Sequence, residues 1–423
     1  MNYQKYDMGR YRLHVLNTKQ YKTVTIKVNF KEEIEKENIT LREMLLDMLL
    51  MSTKKFPTRR EFQLEKEGLY DLLTNGFSTL SGKYSILSIS AKFLNENYTE
   101  NGMFEKSVQF LFDMILNPNV EQQQFCKELF LQQKKNYKEY IQTYDEMSES
   151  YTMKRFDEIR GKGTPRAFHK VGYLEDLEKI TPHSLYQYYQ KVLREDIIDV
   201  FAIGDFENIN IKSLFEHSFS LQGENPKSQE HFIINTEIKE VEEVIEEAEF
   251  EQSKLAVNLK CEELDEFERK YVLGAYSYIL GGGTDSLLFN EVREENSLCY
   301  FISANSSLIY NTVTIMSGID QKNYQKTLDS IRSQLDNMKQ GDFDEKTIEQ
   351  YRTIYLSSLD SIHETPESYL GIYENHEYVN SDLLEEKRKN IQLLTKEHLI
   401  SLANKIHLDT IYFLKGVKEN GED

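Results

Sequence analysis

The chain of 423 residues carries the same ordered pattern twice, and that repeat constrains its fold more than any other feature. Near the start, Val24, Ile26, Val28 and Phe30 alternate with Thr25, Lys27 and Asn29, the period-two pattern of a strand with one buried face. Leu255, Val257, Leu259 and Cys261 share a face in the same way after the acidic stretch EIKEVEEVIEEAEF, and a helical segment follows. Later segments correspond in the same order. NVEQQQFCKELFLQQKKNYKEYIQTYDEMSESY parallels DFDEKTIEQYRTIYLSSLDSIHETPESYL, with Tyr151 aligned to Tyr369. ITPHSLYQYYQKVLREDIIDVFAIGD parallels LTKEHLISLANKIHLDTIYFLKG, and Thr181 and Thr395 stand where a hydroxyl caps the closing helix by accepting a bond from an unpaired amide. Any α+β protein alternates helices with strands, but several ordered matches at a nearly constant offset indicate a duplication.

The expected architecture is α+β: two duplicated domains, each a mostly antiparallel sheet covered by helices. The stretch SLQGENPKSQEHF, from Ser220 to Phe232, is polar and holds Gly223 and Pro226, as a linker does. This places one domain at 1–221, the linker at 222–232 and the second domain at 233–423. A chain of this length exceeds the usual single core and agrees with two domains.

A formal net charge of -20 argues against nucleic acid, whose phosphates draw affinity from clustered Lys and Arg. Cys126, Cys261 and Cys299 are too far apart for a zinc-ligand pair and read as buried reduced thiols. The opening MNYQKYDMGRYRLHVL lacks the apolar run of a signal peptide, and no stretch approaches the apolar length of a membrane span. A cytoplasmic protein is expected.

In LREMLLDMLLMSTKK, Leu41, Met44, Leu45, Met48 and Leu49 fall on one stripe, so this is a helix that packs inward. With its polar ending and the following FPTRREFQLEKEGLYDLLTNGFSTL, it resembles the zinc-binding helix region of the pitrilysin/insulinase-type peptidases. In that family the helix bears H-x-x-E-H, two histidine ligands and a glutamate that activates the metal-bound water. Read onto EMLLD, the resemblance puts Glu43 and Asp47 at the histidine positions and Leu46 at the glutamate position. It places Lys135, in FCKELFLQQKK, near the family's third ligand. No general base and no imidazole remain, so no metal is expected here. The plain reading of Glu43 and Asp47 is a solvated helix face. None of the nine histidines forms a substitute pair; histidines 169, 183, 217, 376 and 398 read as ordinary surface or half-buried residues.

The second half keeps more of the family pattern. YILGGGTDSLLFNEVREENSLCYFISANSSL resembles the family segment in which an arginine and a tyrosine, seven residues apart, reach the zinc site of a facing amino-terminal domain. Arg293 and Tyr300 match both identity and spacing. A guanidinium suits the substrate backbone and a phenol suits a developing oxyanion. The alternative is that Arg293 pairs with a helix-face carboxylate and Tyr300 fills a strand position. Gly281, Gly282 and Gly283 follow a helix and spell no phosphate-binding loop, so they read as a helix-ending turn. The family also captures extended peptides on a sheet edge near the zinc helix, which would assign Asn75, Gly76, Phe77, Ser78, Thr79, Leu80 and Ser81 to a peptide groove. An ordinary sheet edge is the competing reading.

The resemblance implies a catalytically inactive subunit, one half of a clam-shell, in a heterodimeric zinc peptidase that processes or degrades peptides. Its partner would be a zinc-bearing insulinase-type homologue, with zinc in the partner and no cofactor in this chain. Arg293 and Tyr300 would act in trans. A non-hydrolytic peptide-binding or structural homodimer is the second reading. A hydrolase with unconventional ligands is a third, disfavoured by the residues.

Overall fold

The computed structural model describes residues 2–226 and 240–417; residues 227–232 of the expected linker lie outside them. Two compact units emerge, neither a single continuous run: Met1–Thr143, Phe168–Glu230 and His363–Glu374 form one, and Tyr144–Ala167, His231–Ile362 and Asn375–Asp423 the other.

In chain order the first half runs β1 (Asn2–Asp7), β2 (Arg12–Asn17), β3 (Thr23–Glu33), α1 (Lys36–Leu49), α2 (Arg59–Gly68), β4 (Leu73–Ser81) and β5 (Tyr84–Leu94). It continues with α3 (Met103–Leu116), the hairpin β6 (Val120–Glu121) and β7 (Gln124–Phe125), α4 (Lys127–Glu146) and α5 (Ser148–Arg160). Helices α6 (Leu174–Lys179) and α7 (Pro182–Glu195), strand β8 (Ile197–Gly204) and helix α8 (Ile211–Ser218) close it. The second half has β9 (Glu242–Ala248), β10 (Ser253–Cys261), α9 (Leu273–Gly281), β11 (Cys299–Ser307), β12 (Thr312–Ile319) and α10 (Tyr324–Gln340). Helices α11 (Glu345–Ser361), α12 (Pro366–Val379), α13 (Leu384–Ile391) and α14 (Lys396–Asn404) lead into β13 (Ile406–Gly416).

The duplication is visible in the strand orders. The first sheet runs β1-β2-β8-β3-β5-β4 and the second β11-β12-β10-β13-β9. Each has one parallel neighbour pair, β2 with β8 and β9 with β13, and is otherwise antiparallel. Strands β2, β8, β3, β5 and β4 thus correspond to β9, β13, β10, β12 and β11, and β1 has no counterpart among the described residues. Both expected caps form: the Thr181 side chain accepts from the Ser184 amide at 3.0 Å and the Thr395 side chain from the His398 amide at 3.4 Å.

One face of β3 packs as expected, with Val24, Ile26, Val28 and Phe30 buried beside Met44, Leu45 and Met48 of α1. The other face is not open, which corrects the expectation of a single buried face. Glu374 accepts from Lys27 and Asn29 at 2.8 Å each, and Glu367 accepts from Thr25 at 3.2 Å. A helix more than three hundred residues away in sequence supplies this polar cover, and local periodicity carries no sign of it. Within that layer Asp199 is fully buried, 2.6 Å from the Lys31 ammonium and 2.7 Å from the Arg12 guanidinium. Burial alone would raise its pKa, but Lys31, a hydrogen bond from His14, and Arg12 hold it well below the usual carboxylate range. The second sheet repeats the device: Lys260 lies 2.7 Å from Asp409, which also accepts from Asn258 at 2.9 Å. Buried charges persist only when so compensated, and the pair sits on corresponding strands in both sheets. Over the second sheet α5 provides the cover, with Arg160 donating to Asn258 and Thr314 and Tyr151 to Glu246.

The three cysteines are free thiols, but only Cys261 is buried; Cys126 and Cys299 are half-buried, a correction to the expectation for all three. Among the described residues, no helix is long and apolar enough to cross a membrane.

Candidate functional site

The site begins with how α1 is held. Its apolar stripe enters the core, and Arg42 turns into the protein as well. Fully buried, Arg42 donates to the Asp196 carboxylate at 2.9 Å, the Tyr188 hydroxyl at 3.2 Å and the Phe30 carbonyl at 2.6 Å. Burial pushes the Asp196 pKa up to about 6, with Arg42 opposing it.

Glu43 and Asp47 do not form a solvated face. Both are half-buried where α1 faces β4 and α4, a correction that follows from the tertiary packing over them. Burial, aided by the Asp47 charge and opposed by a hydrogen bond with Ser78, pushes the Glu43 pKa up to about 7. Burial raises Asp47 too, although Gln133 donates to it at 2.8 Å. Arg59 in turn donates to Gln133 at 3.3 Å. Leu46, which the resemblance sets at the glutamate position, is 4% exposed and seals the helix against β4. The seal depends on Gly76: a Cβ there would lie 2.5 Å from Leu46 Cδ1 and 2.8 Å from Leu50 Cδ1.

Lys135 does not reach this place. Its side chain is 77% exposed and its ion-pair partner is Glu139, at 3.9 Å. The inward face of α4 is set by Gln133, Tyr137 and Ile141, spaced by four, with Tyr137 donating to the Val171 carbonyl at 2.7 Å. That spacing was the available signal for Gln133, which no sequence reading singled out. Two carboxylates, an amide and a leucine do not make a zinc site, which takes four nitrogen, sulfur or oxygen ligands, or three and an open position. Among the described residues no group of three or more His, Cys, Asp or Glu side chains could hold a metal ion. An open depression of about 470 Å³ lies alongside, lined by Asp47, Arg59, Lys66, Gln133 and Asn136 among others.

Strand β4 is the last of its sheet, paired with β5 from Leu73–Lys92 to Ser81–Tyr84. Asn75 and Phe77 are exposed, and the Lys27 ammonium stands 4.8 Å from the Phe77 ring centre. Gly76 and Ser78 alternate toward α1, while Thr79, Leu80 and Ser81 are half-exposed.

Arg293 and Tyr300 have different surroundings. A π-helical turn, Phe289–Glu295, buries Val292 and leaves Arg293 outside. The Arg293 guanidinium rests 4.9 Å from the Phe289 ring centre, and its Nε is 3.7 Å from a Glu294 oxygen. Strand β11 is the other sheet's edge, where Cys299 pairs with Ile319 and Phe301 with Gly318. Tyr300 is therefore the extra residue of a β-bulge, a feature that re-aims a side chain. It is 59% exposed, and its hydroxyl donates to Asp320 at 3.0 Å, which raises its pKa. Asp320, just beyond β12, was not singled out by any sequence pattern.

Known proteins resemble this chain over part or all of its length. Residues 179–355 match the family model described as "Peptidase M16 inactive domain". Over 424 aligned residues the chain is 27% identical to "Probable inactive metalloprotease YmfF" of Bacillus subtilis, covering 99% of each. These findings support a likeness to the inactive proteins of the insulinase-type (M16) peptidases. A crystal structure of a conserved protein from Enterococcus faecalis is similar at a TM-score of 0.93 and 26% identity, covering 99% of this chain and 100% of that one. A peptidase M16 inactive domain from Pseudomonas fluorescens shares the fold at a TM-score of 0.79 and 14% identity, with 99% and 98% covered. The comparisons support an inactive, M16 peptidase-like protein. On α1, Leu46 is packed against β4, and Glu43 and Asp47 are engaged by Ser78 and Gln133.

Proposed function

We propose that this protein is the non-catalytic subunit of a heterodimeric zinc peptidase that processes or degrades peptides. The partner is a zinc-bearing insulinase-type homologue, and this chain contributes Arg293 and Tyr300 to the partner's site. The observation that carries the reading is the exposure of those two side chains. Neither is buried in its own domain, and the bulge at Tyr300 turns the phenol out of the strand ladder. A guanidinium presents donors to a peptide backbone and a phenol donates to a developing oxyanion, but both act usefully only beside a metal. In this chain the metal helix is closed by Leu46 over Gly76, so the metal has to come from elsewhere.

The open edge of β4 from Asn75 to Ser81 supports peptide capture by strand addition, which uses backbone bonds and survives loss of the metal ligands. This edge also favours the second reading, a homodimer that binds peptides without cutting them.

The test is reconstitution with a zinc-bearing homologue. Arg293→Ala and Tyr300→Phe should each lower the cleavage rate at least about tenfold with assembly intact, the scale of losing one transition-state donor. Wild-type rates in both variants would sink the heterodimer role, and failure to stimulate any zinc-bearing homologue would favour the homodimer.

A further inference from the structure

The two sheets end differently at the strand that runs parallel to its neighbour. In the first, β2 is flanked by β1, paired antiparallel over six residues from Asn2–Asn17 to Asp7–Arg12. In the second, the corresponding strand β9 pairs with β13 from Glu242–Thr410 to Ala248–Gly416, and among the described residues no strand lies beyond it. The edge is held in place on one face. Glu246 accepts from Tyr151 at 2.6 Å and Arg155 at 2.9 Å, and Val244 and Ala248 pack with Phe156, Tyr412 and Leu414. The other face opens on a groove of about 810 Å³. Its floor includes Ile319 and Phe413, with Tyr324 stacked on Phe413 at 4.4 Å, and Ile245 stands in it 55% exposed.

We propose that the β9 edge and this groove form a docking surface for an extended segment of another protein that carries basic and aliphatic residues. Exposed backbone donors and acceptors on a fixed strand are a template for strand addition. Charge selects the occupant. Residues 240–251 hold seven glutamates and no lysine or arginine. A second copy of β9 laid against the first would set glutamate against glutamate, which is destabilising across a strand pair. A segment with lysines flanking an aliphatic residue on the groove side would instead meet Glu243, Ile245 and Glu247, which share that side by alternation; Tyr324 and Lys415 engage the two carboxylates in the free chain, and the added lysines would share them. Glu251 adds a further carboxylate at the groove rim.

The test uses the full chain and a labelled peptide, Thr-Lys-Thr-Val-Thr-Lys-Thr, with the same peptide bearing Glu for Lys as control. Fluorescence anisotropy should show binding of the lysine peptide alone, weakened by added salt as screening requires. Hydrogen exchange should show new protection of the amides in 242–248 when it binds. Ile245→Thr keeps a β-branched residue and Glu251→Lys alters an exposed one, so the fold tolerates both. Each should weaken binding by roughly fivefold or more, a cross-strand pair effect. Equal binding of the two peptides, no binding of either, or amides of 242–248 already protected in the free chain would each overturn the proposal.

Discussion

Two segments of this protein that resemble family segments bearing chemistry are built in opposite ways. On α1 the positions that the resemblance sets at a metal site belong to the packed structure: Leu46 is packed on Gly76, Arg42 is buried in an ionic cluster, and Glu43 and Asp47 have neighbours that use them. Along 289–300 the reverse holds. Arg293 and Tyr300 sit on a π-helical turn and a bulge, exposed, beside Glu294 and Asp320 respectively. The difference teaches that side chains on a packed helix face are drawn into the core's own pairing, whereas those on a turn and a bulge are left to the solvent side.

The contrast is broken or sharpened by how the chain responds to substitution. The largest effect is expected for Arg42→Ala, which leaves Asp196 buried without its partner and should cost about 3–5 kcal/mol in urea unfolding. A loss under 1 kcal/mol would mean that α1 is not anchored as described. Leu46→Glu, which restores the family's acid, should cost about 2–4 kcal/mol by placing a carboxyl in an apolar contact and should not by itself create zinc binding. Stoichiometric zinc in that variant would show that the closure of the site is superficial.

A smaller effect concerns Glu43. Its folded-state pKa, about 7, lies above the ordinary value of 4.5, so the protonated form favours folding and ionisation opposes it. Stability from this group is therefore present below pH 4.5 and is lost as pH rises toward 7. Glu43→Gln should remove that decline and stabilise the chain by about 1 kcal/mol at pH 8, discounted because the group is only half-buried. Parallel stability profiles for the two proteins between pH 5 and 8 would contradict the environment assigned to Glu43. The smallest effects are expected for Arg293→Ala and Tyr300→Phe in the isolated chain, within about 0.5 kcal/mol by thermal unfolding. A loss above 2 kcal/mol in either would make it a structural residue and erase the contrast.

Much of the fold was legible in the chain. The two strand patterns, the two threonine caps and the ordered correspondence of segments are local or periodic features, and each reappears in the paired sheets. The altered metal helix was legible too, because EMLLD lacks imidazoles whatever surrounds it. Lys135 stands outside because the helical periodicity that carries Gln133, Tyr137 and Ile141 inward turns its side chain away. The burial of Glu43 and Asp47 and the second buried face of β3 had no sequence signal, since distant segments supply the cover.

By itself the sequence determined the repeated strand and helix order and the absence of metal-binding chemistry on α1, because periodicity and side-chain identity are properties of short stretches. Only the tertiary structure decided which polar groups are buried, which partners hold them, and that Tyr300 is the unpaired residue of a bulge. Those outcomes depend on which distant strands and helices meet, and long-range packing sets them through desolvation and pairing that no local pattern encodes.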